Sequence, residues 1–351
     1  MRSFVVLLAL LMSGGTVSSQ LTVLTHDSFA VSEAVIETFT MQTGIEVVFL
    51  FGGDAGAVIN RAILTKERPI ADLLYGVDNS LLGRATSVGV FEPYRSPQLD
   101  TVPDELWFDP DGFVTPINVG YVAFNLDIGF FKTIGLDLPS NLTDLTKPAY
   151  RGLTVVENPA TSSPGLAFLL ATVDRFGERA DYDWLNFWAE LRDNDLSVTD
   201  GWTEAYYGLF SRYGGDRPVV LSYATSPAAE VIFSDSVVQK AQTTNLFCER
   251  CVWRQIEGIG ILTGTDKREE AQMFIDFMLD PVYQVDIPLN KFVYPAVEGI
   301  HLPEAFNLFA SLPQDTDLAV LTPTTVEANH ERWLLQWTQV VLQGRDPADV
   351  R

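Results

Sequence analysis

Apolar and polar positions alternate along this chain in blocks: short apolar runs, then amphipathic stretches of helical period. Leu21–Leu24 is an apolar run that stops at Thr25-His26-Asp27-Ser28 and reads as a strand. Ser28 or Ser32 can then cap a helix with Val31, Val35 and Phe39 on one face. Ile45–Phe51 is a second strand, ended by Gly52-Gly53, and Asp54 opens a helix that turns Val58, Ala62 and Ile63 inward. Ala71–Val77 is a third strand, Asp78-Asn79 a turn and Ser80–Val90 a helix. Such an order predicts a mainly parallel sheet with helices on both faces. Ligands of such sheets sit beyond the carboxyl ends of the strands.

The later half repeats the theme. Leu153–Val156 reads as a strand, followed by helices from Pro164, over Tyr182–Arg192 and over Thr203–Tyr213, then a strand at Val219–Tyr223. Asp266–Leu279 is an amphipathic helix, and Glu331–Leu342 a helix rich in Trp and Leu. Two segments, Phe113–Asn125 and Val252–Leu262, are too long and too extended for ordinary strands and read as crossings between two lobes. The length of 351 residues also exceeds a single core of ordinary size. The expected division is a first lobe of residues 20–117 and 256–300 and a second of 118–255 and 301–351.

Composition adds an address. Arg2 precedes an apolar run, Phe4 to Met12, and small polar residues follow from Ser13 to Ser19. This is the layout of a secretory signal peptide over residues 1–19, and the run is too short to span a bilayer. No Cys follows it that could carry a lipid anchor. With 23 basic and 46 acidic residues the net charge is −23, a field that repels nucleic acid and anionic membrane and concentrates cations, though solubility alone also explains it. Cys248 and Cys251, as Cys-Glu-Arg-Cys, read as a small-loop disulfide in an exported chain. Zinc would need two more ligands, with only His26, His301 and His330 on offer.

Candidate chemistry gathers at the strand ends. Asp54 is a helix N-cap or a carboxylate facing a ligand, and Asp27 reads as a cap. Thr161-Ser162-Ser163-Pro164-Gly165 places Pro164 in a first helical turn and Ser163 at the N-cap, where free N–H groups favour an anion. Asp78 ends the third strand and can face a cleft. Trp202 follows Gly201 at a strand-to-helix junction, where its ring can overhang a cleft. In Tyr206-Tyr207, one ring reads as core and the other as cleft lining.

Thr25-His-Asp-Ser-Phe29, Ala71-Asp-Leu-Leu-Tyr-Gly-Val-Asp78, Thr161-Ser-Ser-Pro-Gly165, and Gly201-Trp-Thr-Glu-Ala205 with Leu221-Ser-Tyr-Ala-Thr-Ser-Pro227 together resemble the thiamine-binding periplasmic proteins of ABC importers, from about Leu21 to Pro295. The resemblance implies an α/β periplasmic binding protein fold of type II, with two lobes closing on a cleft. It implies a monomer in the periplasm that captures thiamine or its mono- or diphosphate for an ABC permease at the inner membrane, with no cofactor, metal or catalysis. Trp202, Tyr223 and Phe292 fall on the family's aromatic positions, Phe292 where the family shows Trp. His26 falls where it often shows Tyr, and Asp54 on its pocket carboxylate. On this reading Ser162, Ser163 and Gly165 receive the phosphate or alcohol arm. Three alternatives stay open: a binding protein for polyamines, one for ferric ion, and a thiamine-degrading transferase of the same fold with a cysteine nucleophile.

Overall fold

A computed structural model describes residues 19–178, 181–234 and 240–351. The expected signal peptide therefore lies outside the described residues, Ser19 excepted. The strands are β1 (Ser19–Thr25), β2 (Ile45–Phe51), β3 (Leu73–Asp78), β4 (Phe91–Glu92), β5 (Thr115–Asp127), β6 (Thr154–Glu157), β7 (Ser197–Thr199), β8 (Val219–Tyr223), β9 (Thr243–Leu246), β10 (Trp253–Leu262) and β11 (Tyr294–Pro295).

All are joined in one sheet whose main path runs β2-β1-β3-β10-β5-β8-β6-β7. At its two ends the pairing is parallel, β1 with β2 and β3, and β6 with β7 and β8. In the middle it is antiparallel. β10 pairs with β3 on one side and β5 on the other, from Trp253 opposite Val122 to Ile259 opposite Thr115. The first part of β5 lies beside β10 and β11, whereas Val122–Leu126 pair with β8. The two long apolar segments are thus the strands through which one lobe's parallel sheet continues into the other's.

Helices cover both lobes. Ala55–Leu64, N-capped by Asp54, buries Val58, Ile59 and Ala62, and Ile63 is only partly covered. Ser163–Phe176 is buried over most of its length beneath β5 and β8, with Phe168 edge-on to Phe124 at 4.8 Å and to Trp188 at 5.2 Å. A second apolar cluster, with Phe39, Tyr75, Ile259 and Phe274, fills the lobe of β1 to β3.

Three helices differ from the sequence pattern. The one expected over Ser80–Val90 shrinks to Leu82–Thr86, because the Asp78 carboxylate captures the Ser80 and Leu81 N–H groups in a turn. The expected Thr203–Tyr213 helix is a π-helix over Glu204–Leu209, then a 3-10 turn at Ser211–Tyr213. The C-terminal helix starts earlier than its apolar residues suggest, at Pro323, because the Thr322 hydroxyl accepts the Thr325 N–H and Pro323 suits the first turn.

Candidate functional site

A cavity of about 550 Å³ opens where the two halves of the sheet meet. Residues from both lobes line it, among them His26, Trp202, Tyr223, Glu257, Lys291 and Phe292. Its size suits a solute of two small rings.

On the side of β1, β3 and β10, Glu257 organises the wall. It stands in β10 just ahead of the apolar run Gly258–Leu262 and is 8% exposed. Its Oε1 is 3.0 Å from His26 Nε2, and its Oε2 accepts from Lys291 Nζ at 2.7 Å, Tyr75 Oη at 2.7 Å and Asn118 Nδ2 at 2.9 Å. One carboxylate thereby ties the ends of β1 and β3 to β5, β10 and the segment before Phe292. Burial alone would raise its pKa, but the Lys291 charge and the His26 ring outweigh burial and hold it well below the usual range. Burial pulls Lys291 down from the ordinary lysine value, and Glu257 opposes this. At 2.7 Å the two form an ion pair, with the ammonium 4.3 Å from the centre of the Tyr75 ring.

The opposite wall is aromatic. Trp202 stacks on Tyr206 at 4.8 Å with 15° between planes, Tyr207 stands edge-on to both, and Tyr213 closes the group at 5.0 Å from Tyr207. The Trp202 indole donates to Ser222 Oγ at 2.8 Å, and the Tyr206 hydroxyl to Glu230 at 3.1 Å. Burial and then Glu230 raise the Tyr206 hydroxyl well above 10, and similar causes push Tyr213 up to about 12, so these phenols stay neutral with their faces intact. Phe292 meets Phe233 edge-on at 4.7 Å and has a left-handed backbone (φ 56°), unusual for a side chain of its size.

Beside the cavity the lobes touch. Asp54 Oδ2 accepts the Trp202 N–H at 3.0 Å, and Ala57 N–H donates to the Thr161 carbonyl at 3.3 Å. Gly56 permits this approach, since a Cβ there would lie 2.7 Å from the Thr161 oxygen. Behind the contact Glu157 is fully buried with no hydrogen-bond partner for either carboxyl oxygen among the described residues, and burial followed by Asp54 raises its pKa well above the carboxylate range. Among the described residues, no group of three or more His, Cys, Asp or Glu could hold a metal ion.

The profile of the bacterial extracellular solute-binding protein family matches residues 68–322. The thiamine-binding periplasmic protein of Brucella melitensis is 33% identical over 325 residues, covering 91% of each chain, and that of Escherichia coli 30% identical over 325 residues, covering 92% of this chain and 93% of its own. A solved periplasmic thiamin binding protein superposes with a TM-score of 0.81 at 28% identity, over 93% of this chain and 98% of its own. The chain belongs to the bacterial extracellular solute-binding proteins. Its fold is accordingly the two-lobe type II fold, and its role is to bind a solute outside the cytoplasm. No helix among the described residues is long and apolar enough to cross a membrane.

The binding protein brings together only part of the residue set expected from its sequence. His26, Trp202, Tyr223 and Phe292 line the cavity, as does Asp27, whose carboxylate accepts the Gly53 N–H at 3.1 Å. Asp54 lies outside the lining, as an N-cap that also bonds to Trp202. Ser162, not Ser163, is the N-cap of its helix, and Ser163 already accepts from Gln255 Nε2 at 2.7 Å. Gly165 serves packing, for a Cβ there would lie 2.4 Å from the Glu157 carbonyl oxygen. None of these three lines the cavity. Asp78 is wholly buried, and its oxygens are taken by Ser80, Leu81 and Gln255. Glu257, Lys291, Gln255 and Tyr213 were not anticipated. The available signal was a Glu two residues after a Gln inside an apolar run long enough to cross between lobes.

Proposed function

We propose that this protein captures thiamine or one of its phosphate esters after export to the periplasm, and hands it as a monomer to an ABC permease. The observation that carries the reading is the stacked aromatic wall of Trp202, Tyr206, Tyr207 and Tyr213 in a cavity between two lobes. Flat electron-rich faces suit a thiazolium cation and an aminopyrimidine, and each cation–ring contact contributes about 1–2 kcal/mol once water is excluded. The thiamine-binding names of the relatives in Brucella melitensis and Escherichia coli support the same ligand. Capture without turnover is also part of the proposal. Cys248 and Cys251 are joined in a disulfide and neither lines the cavity, so neither is placed there as a nucleophile.

Titration calorimetry with thiamine, its monophosphate and its diphosphate tests the reading against spermidine and ferric citrate. Saturable one-to-one binding of a thiamine compound, with the compound recovered intact in the presence of a thiol acceptor, is the expected result. Tight binding of spermidine or iron with no response to any thiamine compound would overturn it.

A further inference from the structure

Two carboxylates from opposite lobes stand at the contact beside the cavity, and their hydrogen bonding is unequal. Asp54 comes from the lobe of β1 to β3 and has both oxygens engaged: Oδ1 accepts the Ala55 N–H at 2.7 Å and Oδ2 the Trp202 N–H at 3.0 Å. Glu157 comes from the other lobe, as the last residue of β6, and neither of its oxygens has a hydrogen-bond partner among the described residues. The stretch Asp54–Ala57 covers the carboxyl end of that half of the sheet. The Ala57 N–H donates to the Thr161 carbonyl, in the loop that follows β6. Asp54 docks at Gly201-Trp202, just after Thr199, the residue paired with Glu157 in β7. On the elements around Glu157 the titratable groups are Asp54, Asp78, Asp200, Tyr223, and Glu204 with the tyrosines of the π-helix, and none is a cation. Asp174 and Arg175 lie at the far end of the helix that starts at Ser163. A carboxyl group with neither a cation nor a donor is far less costly to bury with its proton than without it. Of the two acids, the hydrogen-bonded Asp54 therefore takes the charge and Glu157 the proton; burial, and then Asp54, favour that proton.

We propose that closure of the lobes is proton-linked through Glu157: its carboxyl is neutral while Asp54 and Trp202 are in contact and ionises more readily when they part, so solute capture takes up a proton from water and release returns it. Parting the lobes removes the Asp54 charge and admits water to the carboxyl, and both changes favour the ion. Raising the pH then opposes closure and weakens binding, by at most about tenfold per pH unit for a single proton. Thiamine, taken from the reading above, serves only as the probe; the coupling itself rests on the contact between the lobes.

The test is calorimetry with thiamine in buffers of different ionisation enthalpy, which counts the protons taken up on binding. Wild type is compared with Glu157→Gln and Glu157→Met between about pH 6 and about pH 8.5. His26 is present in all three proteins, so the difference between them isolates Glu157. At the maximum of the curve wild type is expected to take up at least about half a proton more than either variant. All three bind alike near pH 6, and towards pH 8.5 wild type loses affinity at least about threefold relative to the variants. Thermal melts identify a variant that fails to fold, and the other then decides. Equal proton counts in wild type and a folded variant would overturn the inference, as would a folded variant that binds weakly at every pH; thiamine capture stands in either case. Should wild type bind no thiamine, that reading falls instead, and the same proton count with spermidine or ferric citrate decides the coupling.

Discussion

Trp202 carries the aromatic wall almost alone, since Tyr206 and Tyr207 are both arranged around its ring. Replacing it with Ala removes a half-buried face that packs on Tyr206 and the small apolar cluster behind it. Solute affinity should fall at least tenfold, the equivalent of about 1.4 kcal/mol, with a lowered but still cooperative thermal transition; calorimetry and a thermal melt check both halves. Glu157 answers to pH instead. Its pKa is raised in the folded chain, so the folded state holds its proton more tightly than the unfolded state does. The resulting stability is complete below the unfolded value of about 4.3 and is lost as pH rises towards the folded pKa. Glu157→Gln abolishes that loss. Its melting temperature should match wild type near pH 4 and exceed it by at least about 2 °C at pH 8, and a parallel course of the two curves would refute the assignment. Single residues were legible where local chain position singles them out, as at Trp202 after Gly201, or where the family resemblance marks them, as at Tyr223. Lys291 was not, because a lysine beside a phenylalanine signals nothing until Glu257 is folded against it.

Elements decide where those residues point. The π-helix at Glu204–Leu209 winds more widely than an α-helix. On it Tyr206 is buried in a small apolar cluster and its neighbour Tyr207 is half-exposed along the cavity, so one ring is core and the other cleft lining, as the sequence suggests. β5 has a different constraint. It passes beneath the Tyr223 ring at Gly120, where a Cβ would lie 2.9 Å from Cδ1 of that ring and 3.2 Å from Val293 Cγ1. Gly120→Ala should therefore displace Tyr223, whose hydroxyl now donates to Gln255 at 3.0 Å. A severalfold loss of affinity with a cooperative thermal transition is expected; unchanged affinity would show that the ring's position does not matter.

At the scale of the whole molecule the lobes meet beside the cavity. There the Trp202 N–H donates to Asp54 and the Ala57 N–H to Thr161, and a Cβ on Gly56 would lie 2.7 Å from the Thr161 oxygen. A side chain at Gly56 meets the backbone of Thr161 and Ala160, which cannot yield as a flexible side chain would. Gly56→Val should leave each lobe folded and hinder their approach. Small-angle scattering should then show a solute-saturated variant that remains as extended as the solute-free protein, with affinity at least tenfold weaker. Compaction equal to wild type would remove this contact from the closing motion.

The sequence alone determined most of the elements and the class of fold. Apolar period and helix capping are local, and a run as long as Trp253–Leu262 has few uses other than to cross a molecule. Through the family resemblance it also marked Trp202, Tyr223 and Phe292, which line the cavity. Tertiary structure alone decided how charge is distributed there. Glu257, Lys291 and His26 are far apart in the chain, and their pairing depends on how β1, β10 and the segment before Phe292 pack. Ser163 and Asp78 looked available in sequence and are taken in the fold by Gln255, a residue on another strand. Hydrogen bonds and ion pairs fall off over a few ångströms, so partners set by chain crossing leave no periodic trace along the sequence.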